Sequence, residues 1–177
     1  MLFRKSNPPL MEWLGSPIVY LETFSVAEKM RQLTKEYYSP IASSYHYLHM
    51  AQGNYREYLQ GESVWVKKYF YVLRPILAVK WIENGMGVVP TEFDILVDKL
   101  IHEPKLKNAV DTLIRSKRAG QELDYGSRID LISQFIEQEL ERFENYKVEH
   151  EKISAPINKL DAMFLNALDQ VWGSDER

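Results

Sequence analysis

The amino-acid sequence predicts an all-α fold, arranged as a single domain of roughly seven helices around a central basic and aromatic helix. Apolar residues recur every three or four positions through most of the chain, which is the period of a helix with one buried face. Proline, serine and glycine separate these segments in the manner typical of helix ends. The one compact β-like run, Ile18-Val19-Tyr20, is too short and too isolated to build a sheet.

The first three predicted helices are identified by the residues that begin them. Serine and asparagine side chains accept hydrogen bonds from the first free N–H groups of a helix, and proline is favoured in its first turn. Asn7 with Pro8 begins a helix that runs through Leu14. A capping box of Ser25 and Glu28 begins a helix over Val26–Tyr37. Ser39 with Pro40 begins a helix from Ile41 to about Leu59.

The fourth predicted helix, Val64–Trp81, is the stretch around which we expect the others to pack. It is apolar enough for a core helix, yet it carries Lys67, Lys68 and Arg74 and no acidic residue. A core helix has no need of such cations among aromatic side chains, whereas a helix that lines a pocket for an anion does. Pro75 either kinks this helix or begins a second one. In the alternative interpretation, the basic side chains simply reach solvent from a buried helix.

Four further helices complete the prediction. Each has apolar residues at helical spacing, and a proline or glycine-containing turn separates it from its neighbour. We expect residues 1–177 to form one helical domain, with residues 145–177 as a candidate helical appendage at its C-terminal end. The four predicted helices are Pro90–Ile101, Lys105–Arg118, Arg128 to about Lys152, and Ile157–Trp172.

Composition bounds the class of protein. The chain has 177 residues, 45% hydrophobic and 27% charged, which is typical of a globular domain. Its formal net charge of −3 makes global attraction to nucleic acid weak, so any anion binding must come from a local patch. The chain contains no cysteine, no long apolar run and no hydrophobic signal core at its N-terminus. We therefore expect a cytoplasmic protein that does not bind membranes.

Several residue pairs have the type needed for chemistry, but each lacks a necessary companion. His46 and His49 are one helical turn apart, yet no nearby carboxylate completes a metal site. Asp94 and Asp98 are interpreted as a solvated helix face. No Walker loop and no G-x-G-x-x-G motif occurs. The sequence therefore predicts neither a metal site nor a catalytic residue in this chain.

Three blocks of the sequence carry a resemblance to a known family. They are LFRKSNPPLMEWLGSPIVY, SSYHYLHMA, and VKKYFYVLRPILAVKWIE followed by VVPTEF. The chain resembles the predicted nucleotidyltransferases of the DNA polymerase beta superfamily that are associated with RNA repair pathways. The resemblance runs from Met1 to roughly Glu144 and is carried most specifically by the combination of the first and third blocks.

The resemblance implies a partial enzyme. In that family these blocks form the C-terminal portion, and the N-terminal portion carries a glycine-serine motif and the paired aspartates that bind two metals. This sequence begins with the C-terminal blocks and contains no D-x-D pair, and we expect no Gly-Ser motif ahead of a helix. We therefore expect a substrate-side domain that is not catalytic alone and works with a catalytic half in trans or in a full-length protein. Mg²⁺ and a nucleoside triphosphate are implied for the complete enzyme, with no cofactor bound by this chain alone.

The resemblance also suggests binding residues. In polymerase beta-like nucleotidyltransferases the helical half contributes cations to the triphosphate and an aromatic or hydroxyl group to the nucleotide. By that similarity Lys67, Lys68 and Arg74 would contact phosphate, and Tyr71 or Tyr45 would face the base or sugar of a nucleotide or RNA end. Adjacent lysines point about 100° apart on a helix, which favours Lys67 at the centre of the pocket.

A second class of function stays open, a noncatalytic helical domain that binds a protein partner. In that case the same basic and aromatic residues would contact the partner or simply pack. We also expect an apolar patch around Trp13, Ile18 and Tyr20, which would favour homo-oligomers if no other part of a protein covers it.

Overall fold

A computed structural model describes residues 2–144 and 155–173. The described residues are mostly helical, at 69%, with a small two-stranded sheet, so the prediction of an essentially all-α fold is confirmed and one element is added to it. The described part contains eight α-helices, one more than the rough count from the sequence. After a short 3-10 helix at Phe3–Lys5, the elements are α1 Pro8–Leu14, α2 Val26–Tyr37, α3 Pro40–Tyr58, β1 Ser63–Trp65, α4 Lys68–Glu83, α5 Phe93–Leu100, α6 Pro104–Arg118, β2 Tyr125–Ser127, α7 Asp130–Glu144 and α8 Asn158–Trp172.

Three helices begin with a capping side chain followed by proline. The Leu10 N–H donates to Asn7 Oδ1 at 3.3 Å, and the Ala42 N–H donates to Ser39 Oγ at the same distance. Glu103 accepts from the first N–H groups of α6. A cap of this kind contributes about 1 kcal/mol, and proline at the first helical position forfeits no hydrogen bond. These local signals explain why the predicted starts of α1, α3 and α6 are confirmed.

Helix α4 contributes many of the buried residues of the main core. Ten of its sixteen residues are buried, and it packs against α3, α5 and α7. The helix continues without interruption through Pro75, which is itself buried, so Pro75 does not begin a second helix. Tyr69 is fully buried, and its hydroxyl lies 2.7 Å from Ser133 Oγ and accepts from the Ile129 N–H. This hydroxyl therefore ties the start of α7 to α4.

The N-terminal limit predicted for the fourth helix, at Val64, is wrong. Residues Ser63–Trp65 form β1, which pairs antiparallel with β2, and α4 begins only at Lys68. The pairing continues beyond the strand, because the N–H groups of Val66 and Lys67 donate to the carbonyl oxygens of residues 124 and 123 at 3.0 Å. Partners 60 residues away thus hold this segment extended, and its β-branched valines suit a strand.

The start of α2 also differs from its sequence signal. The helix has the predicted bounds, but Ser25 has φ of 52° and makes no side-chain cap. The acceptor for the Glu28 N–H is instead Glu22 Oε1, at 2.8 Å. The predicted capping box is therefore wrong, because the chain enters α2 through a left-handed turn that directs the serine hydroxyl away. The apolar run 18–20 forms no strand and is exposed.

A second, smaller core holds α1, α2 and α8 together. Phe3 and Met11 pack with Tyr37 and Tyr38, and the Tyr37 hydroxyl donates to the Pro156 carbonyl oxygen. The predicted continuation of α7 to Lys152 lies outside the described residues. Helix α8 packs on α2, and its status as an appendage stays a prediction.

No helix within the described ranges has both the length and the apolar character required to span a membrane.

Candidate nucleotide-binding site

Two cavities lie beside the start of α4 and share one lining residue, Lys117. The larger has a volume of about 620 Å³ and is here called the phenylalanine cavity. The smaller has a volume of about 410 Å³ and is here called the lysine groove. The phenylalanine cavity is lined by Glu12, Phe70, Arg74, Thr91, Glu92, Phe93, Asp94, Ile114, Lys117 and Arg118. The lysine groove is lined by Trp65, Lys67, Lys117, Gln121, Glu122, Leu123 and Asp124.

Lys67 lies in the lysine groove, at the junction of β1 and α4. Its backbone is fixed, because its N–H donates to the Leu123 carbonyl oxygen at 3.0 Å. Its side chain is exposed and forms no ion pair with any described residue. A fixed backbone with a free ammonium group is a suitable arrangement for binding an anion.

Lys117 occupies the border between the two cavities. It lies in the last turn of α6, and its Nζ is 4.5 Å from the centroid of the Phe70 ring. It too is exposed and has no carboxylate partner in the part of the chain that the structure describes. From the sequence, Lys117 is either a phosphate contact or a cation that complements the dipole of a helix C-terminus, and the fold places it with Lys67 in the lysine groove.

Arg74 lines the phenylalanine cavity but is engaged by protein acceptors. One of its terminal nitrogens donates to the Thr91 carbonyl oxygen at 3.0 Å. The other donates to the Pro90 carbonyl oxygen at 2.9 Å and lies 3.0 Å from Glu12 Oε2. The guanidinium therefore makes two hydrogen bonds to backbone carbonyl oxygens and one ion pair within the fold. Arg74 fixes the loop before α5 against α4.

Glu12 is the centre of this network. One carboxylate oxygen pairs with Arg74, and the other accepts from the Tyr47 hydroxyl. The Glu12 backbone carbonyl accepts from Thr91 Oγ1 at 2.7 Å. Burial, together with the neighbouring carboxylate, raises the pKa of the Tyr47 phenol far above its usual range, so it stays a hydrogen-bond donor. The network joins α1, α3, α4 and the segment before α5.

The formal charges of both cavities cancel, but their arrangement differs. In the phenylalanine cavity, Arg74 and Arg118 are paired with Glu12 and Asp94. In the lysine groove, the two lysines face Glu122 and Asp124, and no ion pair joins these four side chains. Cations that are not already neutralised are therefore concentrated in the lysine groove.

Lys68 lies among aromatic rings rather than in either cavity. Its Nζ is 3.9 Å from the ring centroid of Tyr58, 4.8 Å from that of Tyr71 and 5.0 Å from that of Trp65. Each such contact contributes roughly 0.5–1 kcal/mol where it is exposed. Adjacent positions on a helix diverge, and here Lys67 and Lys68 face different surroundings.

The remaining predicted binding residue, Tyr45, is exposed on α3 and lines neither of these cavities. Lys67 and Lys117 thus line one cavity, the lysine groove. Arg74 lines the adjoining phenylalanine cavity, which Lys117 also borders, and Tyr45 lies outside both. Trp65 and Tyr125 are not among the binding residues that the sequence predicts. These two residues are cross-strand partners in β1 and β2, a pairing that needs the fold to be recognised.

The other candidates for chemistry have separate surroundings. His46 and His49 are exposed on α3. Asp94 pairs with Arg118, and Asp98 pairs with Lys107, so both predicted surface acids contact α6. Among residues 2–144 and 155–173, no group of three or more histidines and acids is placed to hold a metal ion.

One expectation about motifs is wrong. Gly126-Ser127 is a Gly-Ser dipeptide on β2, and α7 begins shortly after it, at Asp130. No D-x-D pair follows it in the sequence. A Cβ at Gly126 would lie 3.3 Å from Val66 Cγ2, so this glycine serves the close approach of the two strands.

Residues 1–166 match the RNA repair pathway DNA polymerase beta family, RlaP. YcgL of Bacillus subtilis (strain 168), described as an uncharacterized protein, is 49% identical over 175 residues. The match covers 97% of this chain but only 66% of that curated relative's length. No solved structure gives a significant match.

Proposed function

The chain belongs to the RNA repair pathway DNA polymerase beta family, and from this premise we propose that it is the helical, substrate-side part of a polymerase beta-like nucleotidyltransferase. In this proposal the lysine groove holds the triphosphate of the incoming nucleotide. Lys67 and Lys117 are its principal phosphate contacts. The proposal keeps Lys67 from the sequence prediction and takes Lys117, whose role the sequence leaves open, as a second phosphate contact.

A single observation supports the proposal most strongly. Two exposed lysines without carboxylate partners converge on one groove from β1–α4 and from the end of α6. A lysine ammonium acts as a compact point charge on phosphate oxygens. A charge-assisted hydrogen bond contributes roughly 1.5–3 kcal/mol, so two such contacts would contribute enough for measurable binding.

The adjoining phenylalanine cavity suits the base of the same nucleotide. Its floor is apolar, with Phe70 and Phe93 in an edge-to-face pair whose centroids are 5.7 Å apart. Lys117 borders both cavities, so one molecule could span them, with its base on the phenylalanines and its phosphates on the lysines. Arg74 would add guanidinium donors that its two backbone hydrogen bonds and its ion pair with Glu12 do not use.

Lys68 and Tyr71 would contribute to substrate binding outside the lysine groove, and Tyr45 would contribute only if the substrate extends to α3. Mg²⁺ would arrive with the triphosphate and neutralise part of its charge. No residue here is assigned to that ion. In the family the metals are bound by paired aspartates, and this sequence has no D-x-D pair.

The transfer step itself would use carboxylates that this sequence does not contain. The chain spans 66% of the length of the curated relative that it matches. We therefore propose that the catalytic half is supplied in trans or by a longer protein, and that it faces the lysine groove.

Calorimetric titration with a nucleoside triphosphate and Mg²⁺ tests the proposal. We expect saturable binding by the chain, and a loss of roughly 10- to 150-fold in affinity for Lys67→Ala and for Lys117→Ala. Lys105→Ala is the matched control, because Lys105 is an exposed lysine at the other end of α6. Glu122→Gln should strengthen binding, since it removes a negative charge from the groove.

Two negative results together would reject the proposal. The folded chain would bind no triphosphate by itself, and it would still bind none when the unmatched part of the Bacillus subtilis relative was added. Equal binding by the two groove variants and the Lys105→Ala control would reject the lysine assignment specifically.

A second function, protein binding without catalysis, is favoured by one observation. The end of α1 and the segment that follows it expose large apolar side chains, with Trp13 at 74%, Tyr20 at 96% and Leu21 at 82% exposure. If this were the main function, substitutions in that segment would abolish partner capture while the groove variants retained it.

A further inference from the structure

A surface cluster of aromatic side chains lies where β1 and β2 meet the start of α4. Trp65 and Tyr125 are opposite each other in the strand register, and their rings stack at 5.9 Å with an interplanar angle of 18°. Tyr58 meets the Trp65 ring edge-on at 5.4 Å. The rings therefore form an ordered stack at the edge of the lysine groove, since Trp65 also lines that groove.

The outermost ring of this stack is open to solvent. Tyr125 is 69% exposed, although large aromatic residues contribute most to stability when they are buried. Tyr71 on the adjacent helix is 46% exposed. An exposed ring that is already held parallel to another ring can accept a further flat group with little loss of conformational entropy.

Cations accompany the stack. The Lys68 ammonium is held between the rings of Tyr58, Trp65 and Tyr71, within 5.0 Å of each centroid. Lys67 precedes it and reaches the groove on the neighbouring side. Neither lysine has a carboxylate partner in the described part of the chain. Aromatic faces interleaved with lysines are the combination that binds single-stranded nucleic acid.

We propose that Tyr125 extends its stack to an unpaired base of a single-stranded nucleic acid, and that Lys68, whose ammonium lies over the neighbouring Trp65 ring, contacts the adjoining phosphate. This inference rests on the proposed function and names the second substrate, the strand whose end faces the triphosphate in the lysine groove. The family description, which refers to RNA repair, favours RNA as the strand.

The chemistry accounts for both the location and the strength of the interaction. A base in a duplex is already stacked on both faces, so only an unpaired base can use the face of Tyr125. Glu122 and Asp124 line the same groove, and their carboxylates would repel the phosphates of a long nucleic-acid backbone. The site should therefore hold the end of a strand rather than a long backbone, with a weak dependence on salt.

Fluorescence anisotropy with a short labelled oligoadenylate tests the inference. Tyr125→Ala should weaken binding roughly 5- to 150-fold, the range for the loss of one base–aromatic stack, whereas Tyr125→Phe should bind nearly as the unaltered chain does. Lys68→Ala should also weaken binding. The matched control is Tyr20→Ala, which removes an exposed tyrosine from the segment before α2. The same oligomer in a duplex should bind more weakly.

Three results would overturn the inference: no binding of the single strand by the folded chain, unchanged binding by Tyr125→Ala, or an equal loss in Tyr20→Ala. Nucleoside triphosphate titration of Tyr125→Ala separates this inference from the proposed function. That variant should retain triphosphate binding, because Tyr125 lines neither cavity. If the unaltered chain binds the triphosphate but not the single strand, the stacking site alone is rejected.

Discussion

The network around Glu12 and Arg74 yields a prediction about stability that bears directly on function. The Arg74 side chain is 22% exposed and the Glu12 side chain 18%. Arg74→Ala would leave the Glu12 carboxylate with the Tyr47 hydroxyl alone, and it would remove the donors to the carbonyl oxygens of residues 90 and 91. Arg74 is therefore expected to stabilise the fold whether or not it also contacts phosphate.

The magnitude follows from the burial of the pair. Removing one member of a buried ion pair costs 3–5 kcal/mol, and partial exposure places this site near the lower end, at about 3 kcal/mol. For a domain of this size that corresponds to a fall in Tm of about 6–12 °C. Lys67→Ala, at an exposed position without an ion pair, should change the free energy of unfolding by less than about 0.5 kcal/mol.

Urea denaturation followed by circular dichroism measures these changes, and a double-mutant cycle with Glu12→Gln isolates the pair. We expect the double variant to lose less stability than the sum of the single variants, by roughly 1–3 kcal/mol. Additive losses, or an Arg74→Ala variant as stable as the unaltered chain, would refute the reasoning. The lysines of the groove are thus the cleaner probes of phosphate binding.

Two further predictions concern the tyrosines and the exposed loop. Burial raises the pKa of the Tyr38 phenol to about 12, so the stability it contributes is complete below pH 10 and is lost as the pH rises from about 10 towards 12. Denaturant titrations across this pH range should show a decline in the free energy of unfolding, and the decline should be smaller in Tyr38→Phe. If the free energy falls with pH equally steeply in that variant, the decline belongs to other groups. The exposed apolar side chains of Trp13 in α1 and Tyr20 in the following loop should cause self-association that increases with protein concentration, measurable by sedimentation. Trp13→Ser with Tyr20→Ser should reduce it, and a monomeric unaltered chain at high concentration would contradict the expectation.

Local signals in the sequence were sufficient for most of the helices. Asn7 and Ser39 cap their helices as predicted, and the buried positions of α6 follow its apolar spacing. These features depend on neighbours within one or two turns, which a sequence shows directly.

The features that failed depend on distant parts of the chain. Residues Val64 and Trp65 are extended because β2 pairs with them across 60 residues, although their own neighbourhood resembles a helix. Ser25 does not cap α2, because Glu22 occupies that role from the preceding loop. Lys117 enters the site only because α6 ends beside α4, and no spacing rule relates it to Lys67. A sequence can therefore predict which basic residues lie among apolar and aromatic ones, but not which of them line the same cavity in the fold.

The central claim is that Lys67 and Lys117 bind a triphosphate in the lysine groove. A crystal structure of the chain with a non-hydrolysable nucleoside triphosphate and Mg²⁺ tests it most directly. The account predicts phosphate oxygens about 2.7–2.9 Å from the ammonium nitrogens of both lysines, with the base towards Phe70. Phosphates bound elsewhere on the chain, with both lysines still free, would contradict it.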